Sequence, residues 1–112
     1  MRRDDLFLAD IVDCAQAVAG YIEGLTYEAF MGSPVVRDAV LLRLTNVGEA
    51  CGAISEELKA SHPEVPWQKV KAFRNLAVHA YFSVDWQVVW GLATVRLPDL
   101  EVQIAKILDE DD

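Results

Sequence analysis

Ser33-Pro-Val-Val-Arg-Asp-Ala-Val-Leu-Leu-Arg-Leu-Thr-Asn-Val-Gly-Glu-Ala-Cys-Gly-Ala-Ile-Ser-Glu-Glu-Leu-Lys-Ala60 is the stretch that decides the fold. Ser33 suits an N-cap and Pro34 the first turn of a helix, where its missing N–H has no intrahelical partner to lose. Val40, Leu44, Val47, Cys51, Ile54 and Leu58 then recur at alternating spacings of four and three, the pattern of one apolar helix face. The spacing predicts a single helix to about Ala60. Gly48 and Gly52 interrupt it, at a cost of about 1 kcal/mol each relative to alanine. Two missing side chains one helical turn apart offset that cost if a second backbone packs closely against them. Glu49, flanked by small residues, is then expected to reach and orient Arg74 on the neighbouring helix.

Working outward, Phe7, Leu8, Ile11, Val12, Ala15, Val18, Ala19 and Ile22 give a first amphipathic helix over residues 4–23, with Asp10, Asp13 and Gln16 turned away. Gly24 can end it, and Thr26-Tyr-Glu-Ala-Phe30 is a short helical turn. Pro63 and Pro66 place Ser61–Pro66 in a loop, where His62 is expected to be exposed. Downstream, Ser83 and Asp85 open a further helix. One stripe on it carries Val84, Val88, Leu92 and Val95, and a second carries Trp86, Trp90, Ala93 and Leu97. A helix apolar on two sides is central in its bundle or shared with another subunit. Pro98 must kink or divide it, because it removes a hydrogen bond and crowds the carbonyl of Thr94. Leu100, Ile104, Ile107 and Leu108 resume the pattern before an acidic tail from about Asp109.

No strand-like alternation, repeat or low-complexity segment interrupts this reading. The expected architecture is all-α: an antiparallel bundle of four to five helices in one domain over residues 1–112. A hydrophobic fraction of 53% with 25% charged residues is that of a folded globular chain. No apolar run approaches the roughly 20 residues needed to span a bilayer. Asp4, Asp5, Asp10 and Asp13 break what would be a signal peptide's apolar region. A cytoplasmic protein without a membrane partner is expected. Cys14 and Cys51 lie on apolar stripes without metal-ligand spacing and read as buried free thiols. A net charge of −8 counts against a general nucleic-acid coat, so any RNA contact must be local.

That local exception is residues 66–85. Between residues 65 and 84 the chain holds Lys69, Lys71 and Arg74 and no acid. Pro66 suits the first position of a helix. At about 100° per residue with Arg74 at zero, Lys71 falls near 60°, Asn75 near 100°, Gln68 near 120° and His79 near 140°. These form one polar arc opposite Phe73, Leu76, Ala77 and Ala80, the expected core face. Tyr81 returns to the Arg74 edge two turns on.

The chemistry on this arc is an imidazole, a guanidinium, a carboxamide and a phenol. It contains no glycine-rich phosphate loop, paired His-Glu metal spacing or placed Ser or Cys nucleophile. The set suits a phosphoryl transfer in which an RNA 2′-hydroxyl is the internal nucleophile, with no cofactor or metal required. Histidine titrates near neutrality and can move the proton. Arginine's planar fork can hold two phosphate oxygens and stabilise the charge that builds in the transition state. An ideal helix splays Arg74 and His79 by about 140°, so a symmetric dimer is one way to bring two such edges together. An Arg and a His that merely tie helices together fit the same spacing.

Arg74-Asn75-Leu76-Ala77-Val78-His79-Ala80-Tyr81 resembles the R-x-x-x-x-H-x-Y signature of the HepT-like toxins in the HEPN superfamily of small helical proteins. Gly48-Glu49-Ala50, Pro66-Trp67, Val84-Asp85, Val89-Trp90 and Leu97-Pro98 extend the similarity along nearly the whole chain. The resemblance implies a homodimeric bundle acting as a metal-independent endoribonuclease on transfer or messenger RNA. That enzyme would be the toxin of a bacterial or archaeal toxin–antitoxin pair of type II or type VII character. It implies Arg74 and His79 as the catalytic pair, with Asn75 helping to place substrate and Lys71 and Glu49 in support. The implied antitoxin is a minimal nucleotidyltransferase, bound in a larger complex or adding adenylate to Tyr81, where bulk and negative charge would block an RNA phosphate. The alternative is a non-catalytic accessory subunit that binds nucleotide or substrate for that nucleotidyltransferase.

Overall fold

The computed structural model describes residues 2–76 and 83–110. Among these the chain is all-α. In order come α1 (Arg2–Ile22), α2 (Tyr27–Met31), α3 (Pro34–Ala53), α4 (Glu56–Ser61), α5 (Trp67–Lys71), α6 (Trp86–Gly91) and α7 (Leu97–Glu110). A 3₁₀ turn, Ala72–Asn75, continues α5, and a π-turn, Leu92–Arg96, joins α6 to α7. No helix of the described residues is long and apolar enough to cross a membrane.

The helix starts follow from single side chains. Thr26 Oγ1 accepts the N–H of Ala29 at 3.1 Å, and Ser33 Oγ accepts that of Val36 at 3.4 Å ahead of Pro34. The expected start at Ser83 moves to Asp85, whose carboxylate accepts the N–H groups of Gln87 and Val88 at 3.1 and 3.3 Å. A carboxylate there also complements the helix dipole. Gly24 adopts φ +74° just beyond α1, the left-handed conformation that ends a helix at little cost to glycine.

The expected apolar stripes meet in one core. Leu8, Ile11 and Val18 of α1, Val40, Leu44, Val47 and Cys51 of α3, and Val89, Leu97, Ile104 and Ile107 of the C-terminal helix are all buried. Of the two stripes on the C-terminal helix, Ala93 and Leu97 go inward, while Val88 and Val95 remain exposed. Phe30 closes one end of the core, its ring centroid 4.9 Å from that of Trp90 and 6.2 Å from that of Trp86. Burying such a side chain contributes about 1.5–3 kcal/mol. The Arg37 guanidinium lies 5.1 Å over the Trp86 ring as a cation–π contact. Cys14 and Cys51 are free and buried. Burial pushes the Cys51 thiol up, and it donates to the carbonyl of Trp67 at 3.4 Å.

Besides the start at Asp85, the structure departs from the expected elements at five further places. α3 ends at Ala53 rather than near Ala60, and Ile54 is extended at φ −69°, ψ 142°. Buried Asp4 reaches across from α1 and accepts both the N–H and the hydroxyl of Ser55, at 2.9 and 2.6 Å. The same hydroxyl oxygen accepts the N–H of Leu58 and so caps α4. A side chain offering the backbone these bonds competes with helix continuation. Pro66 takes the cap position of α5 rather than its first turn. α5 tightens to 3₁₀ after Lys71, so an angular reading at 100° per residue fails beyond that point. The C-terminal helix is divided, but by a π-turn between α6 and α7 rather than at Pro98, which falls in the first turn of α7. The preceding π-turn, in which the Leu97 N–H reaches back to the carbonyl of Leu92, widens the coil and passes over a carbonyl that proline could not have served. His62 is only 18% exposed, flanked by Glu64 at 3.4 Å and Glu110 at 3.8 Å.

Among the glycines, Gly48 has the least room for a side chain. A Cβ placed there would lie 2.3 Å from the backbone nitrogen of Arg74 and 3.0 Å from the carbonyl oxygen of Lys71. At Gly52 the nearest atoms, all from side chains, stand at 3.6–3.7 Å. Gly48→Ala is expected to lower unfolding stability by about 1–3 kcal/mol through overpacking against backbone. Gly52→Ala should be neutral or stabilise by up to about 1 kcal/mol through helix propensity. Urea unfolding of both variants checks the contrast.

Candidate functional site

Gly48 and Gly52 form a trough along one face of α3, and the turn from Lys71 to Arg74 sits in it. The backbone of this turn lies over Gly48. The side chains of Lys71 and Arg74 lie over Gly52, with Arg74 Nη1 and Lys71 Cε each 3.6 Å from where a Cβ would stand. The turn is fastened from beneath by apolar side chains: Trp67, Val70 and Phe73 are buried. Trp67 is also held by its indole N–H, which donates to the carbonyl of His62 at 2.9 Å. With every third position anchored in the core, the intervening polar residues face outward.

Those residues share one shallow depression of about 210 Å³ lined by Gln68, Lys71, Ala72, Arg74 and Asn75. Gln68, Arg74 and Asn75 are exposed, and Lys71 is half-buried. The expected arc therefore exists as a place in space as far as Asn75, although the 3₁₀ turn changes its angles. His79 and Tyr81 lie outside the described residues.

Glu49 is not beside Arg74. No ion pair joins them, because Glu49 stands about 100° around α3 from Gly48. It lines a separate groove of about 540 Å³ between α1 and α3 with Asp10, Asp13, Arg43 and Asn46. Arg43 is tied there, its Nε donating to the Tyr21 hydroxyl at 3.3 Å. The expected orienting contact from Glu49 to Arg74 is absent from this structure. The trough does the positioning that a carboxylate was expected to do.

Chemically, the depression offers an exposed guanidinium able to hold two phosphate oxygens, a lysine within reach of the same volume, and two carboxamides that donate and accept. Lys71 and Arg74 make this depression locally positive in a chain of net charge −8, which suits contact with a phosphate. Among the described residues no group of three or more His, Cys, Asp or Glu side chains is arranged to hold a metal ion. Sequence reasoning missed the role of Gly52 as the floor beneath the two cations; the one-turn spacing of the glycines was the available clue.

Comparison with known proteins gives a consistent result. The family model described as ribonuclease HepT-like matches residues 11–107. A protein of Caldanaerobacter subterraneus subsp. tengcongensis, provisionally named an RNase, is 28% identical over 105 residues, covering 94% of each chain. A Thermococcus cleftensis protein carrying the name probable ribonuclease HepT is 30% identical over 101 residues, 90% of this chain and 92% of its own. A Methanocaldococcus jannaschii protein, also provisionally named an RNase, is 29% identical over 98 residues, 88% of this chain and 90% of its own. No solved structure matches significantly.

Because Arg74 is exposed and has no ion-pair partner among the described residues, its removal should leave the bundle intact. Arg74→Ala is expected to unfold within about 0.5 kcal/mol of the parent. A larger loss in thermal or urea unfolding would mean that Arg74 serves mainly to tie helices together.

Proposed function

The chain belongs to the HepT-like ribonuclease family, and on that premise we propose that it is a metal-independent endoribonuclease and the toxin of a toxin–antitoxin pair, with Arg74 and His79 at its centre. The observation that carries the reading is the clustering of exposed Gln68, Arg74 and Asn75 with half-buried Lys71 in one depression, shortly before His79 in sequence. In this reading Arg74 holds the scissile phosphate through its fork and stabilises the charge that builds as the 2′-oxygen attacks. His79 moves the proton from the 2′-hydroxyl, and a protonated group delivers one to the leaving 5′-oxygen. The products are a cyclic phosphate and a free 5′-hydroxyl, so no water enters the cleavage step. Asn75 and Lys71 place neighbouring oxygens of the same strand. The substrate is RNA, transfer or messenger.

A symmetric homodimer is part of the proposal. The C-terminal helix leaves Val88, Val95 and Val102 between 49% and 58% exposed, an apolar seam that crosses the π-turn from α6 to α7. A second copy covering that seam would bring two catalytic edges together. The cognate partner is a minimal nucleotidyltransferase that silences the toxin by adding adenylate to Tyr81, where the new phosphate would repel the substrate's.

Cleavage of labelled RNA in EDTA by the unmodified protein is the test, run beside a folded His79→Ala variant. Cleavage is expected for the parent with a loss of about 10²-fold or more in the variant. Equal cleavage by both would remove His79 from the mechanism. Dependence on added divalent metal would contradict the metal-free route.

A further inference from the structure

A second depression, of about 460 Å³, lies beside the Arg74 cluster and shares Gln68 with it. Its walls are Val65, Pro66 and Trp67, and two cations, Lys59 and Lys69, contribute to its lining. Lys59 is the unusual one. Its side chain is only 9% exposed, yet its ion pair with Glu56, one turn earlier, is long at 3.7 Å, and Glu56 itself is 89% exposed. Lysines are almost never buried to this degree without a close partner. A charge-assisted hydrogen bond would be about 2.7–2.9 Å long, and the ammonium carries three donors. The ammonium is not among the buried polar atoms left without a partner, so the stem is buried while the charged head reaches the surface of the hollow, and Lys69 stands at the same hollow, exposed.

We infer that this hollow is a second nucleotide subsite, in which Lys59 and Lys69 take a backbone phosphate of single-stranded RNA next to the one held at Arg74. The inference rests on the ribonuclease reading and deepens it by giving the strand a direction. From Arg74 and Asn75 the strand passes Gln68 and continues over the start of α5 toward α4. The geometry suits a flexible single strand. Lys69 and Arg74 are separated by two α-helical and three 3₁₀ steps, about 9 Å along the axis. Pro66 and the edge of Trp67 offer an apolar wall for a sugar or base face, of the kind that binds without regard to sequence. Glu56 lies at the rim, 89% exposed and 3.7 Å from the Lys59 ammonium, so a phosphate must displace this carboxylate into solvent to reach Lys59.

The test is binding of single-stranded oligonucleotides carrying 2′-O-methyl groups, which cannot be cleaved by 2′-oxygen attack, measured by fluorescence anisotropy across a range of salt concentrations. The proteins are the parent, Lys59→Met and Lys69→Met; methionine keeps the apolar stem and removes the charge. For a long oligonucleotide each variant is expected to bind more weakly on every sequence. Each should also reduce the steepness of log K against log salt by about 0.7, one phosphate contact on a single strand. For a dinucleotide, too short to leave the Arg74 depression, the variants should match the parent. Lys69 is exposed, so Lys69→Met carries the test if Lys59→Met does not fold. Unchanged salt dependence in folded variants, with RNA still bound, would overturn the subsite alone. Failure of the parent to bind any RNA would overturn both the subsite and the ribonuclease reading.

Discussion

The close approach of the Lys71–Arg74 backbone to Gly48 is the constraint on which the rest depends. A hydrogen is the largest group that fits between α3 and the nitrogen of Arg74, so the 3₁₀ turn lies directly on the helix. That contact fixes which side of the turn faces inward. Phe73 goes to the core, and the cations and carboxamides are left outside. Gly52, one turn along, extends the trough so that the Lys71 and Arg74 side chains can lie across it. The two glycines give up helix propensity of about 1 kcal/mol each and in exchange present a guanidinium on a rigid support.

The irregularities of the bundle serve the same end. Asp4 interrupts the long helix at Ser55, and the break starts α4, which carries Lys59 to the mouth of the second hollow. The Cys51 thiol and the Trp67 indole then tie the start of α5 to α3 and to the loop at His62. The bonds in question are all buried or partly buried, where an unmade partner would be costly. They set the path of the chain into the Gly48 contact from one side. Beside α5, where Leu92 and Arg96 line a pocket with Lys69, Val70 and Phe73, the π-turn carries the C-terminal helix past Pro98. Its apolar inner stripe thereby stays in register with α1 and α3 from Val89 to Ile107.

Much of this was legible in the residues, and what was not has physical causes. Periodicity gave the core face of α1, α3 and the C-terminal helix, because burial of a 3.6-residue stripe leaves little freedom. Of the paired glycines, Gly48 makes the close backbone approach that their spacing suggested, whereas Gly52 meets only side chains at 3.6–3.7 Å. The break at Ser55 was hidden because it depends on Asp4, 51 residues earlier, and a pattern read along the chain has no term for such a bond. The tightening to 3₁₀ at Ala72 was hidden likewise, being imposed by packing on Gly48 rather than by local propensity. Glu49 was misplaced for a simpler reason: adjacency to Gly48 in sequence puts it about 100° away in space, on the groove facing α1. Lys59 was overlooked because nothing in its neighbours distinguishes a buried lysine from an exposed one.

The measurement that bears most directly on this account joins the Gly48 contact to the chemistry. Backbone amide spectra of Gly48→Ala and Gly52→Ala would be recorded by NMR on the folded proteins, with single-turnover RNA cleavage followed on the same samples. The account predicts amide shifts confined to residues 71–75 and their neighbours in Gly48→Ala, with cleavage falling in step, and little change of either kind in Gly52→Ala. A Gly48→Ala protein whose 71–75 amides move while RNA is cleaved at the parent rate would contradict it, because the site would then owe nothing to the support beneath Arg74.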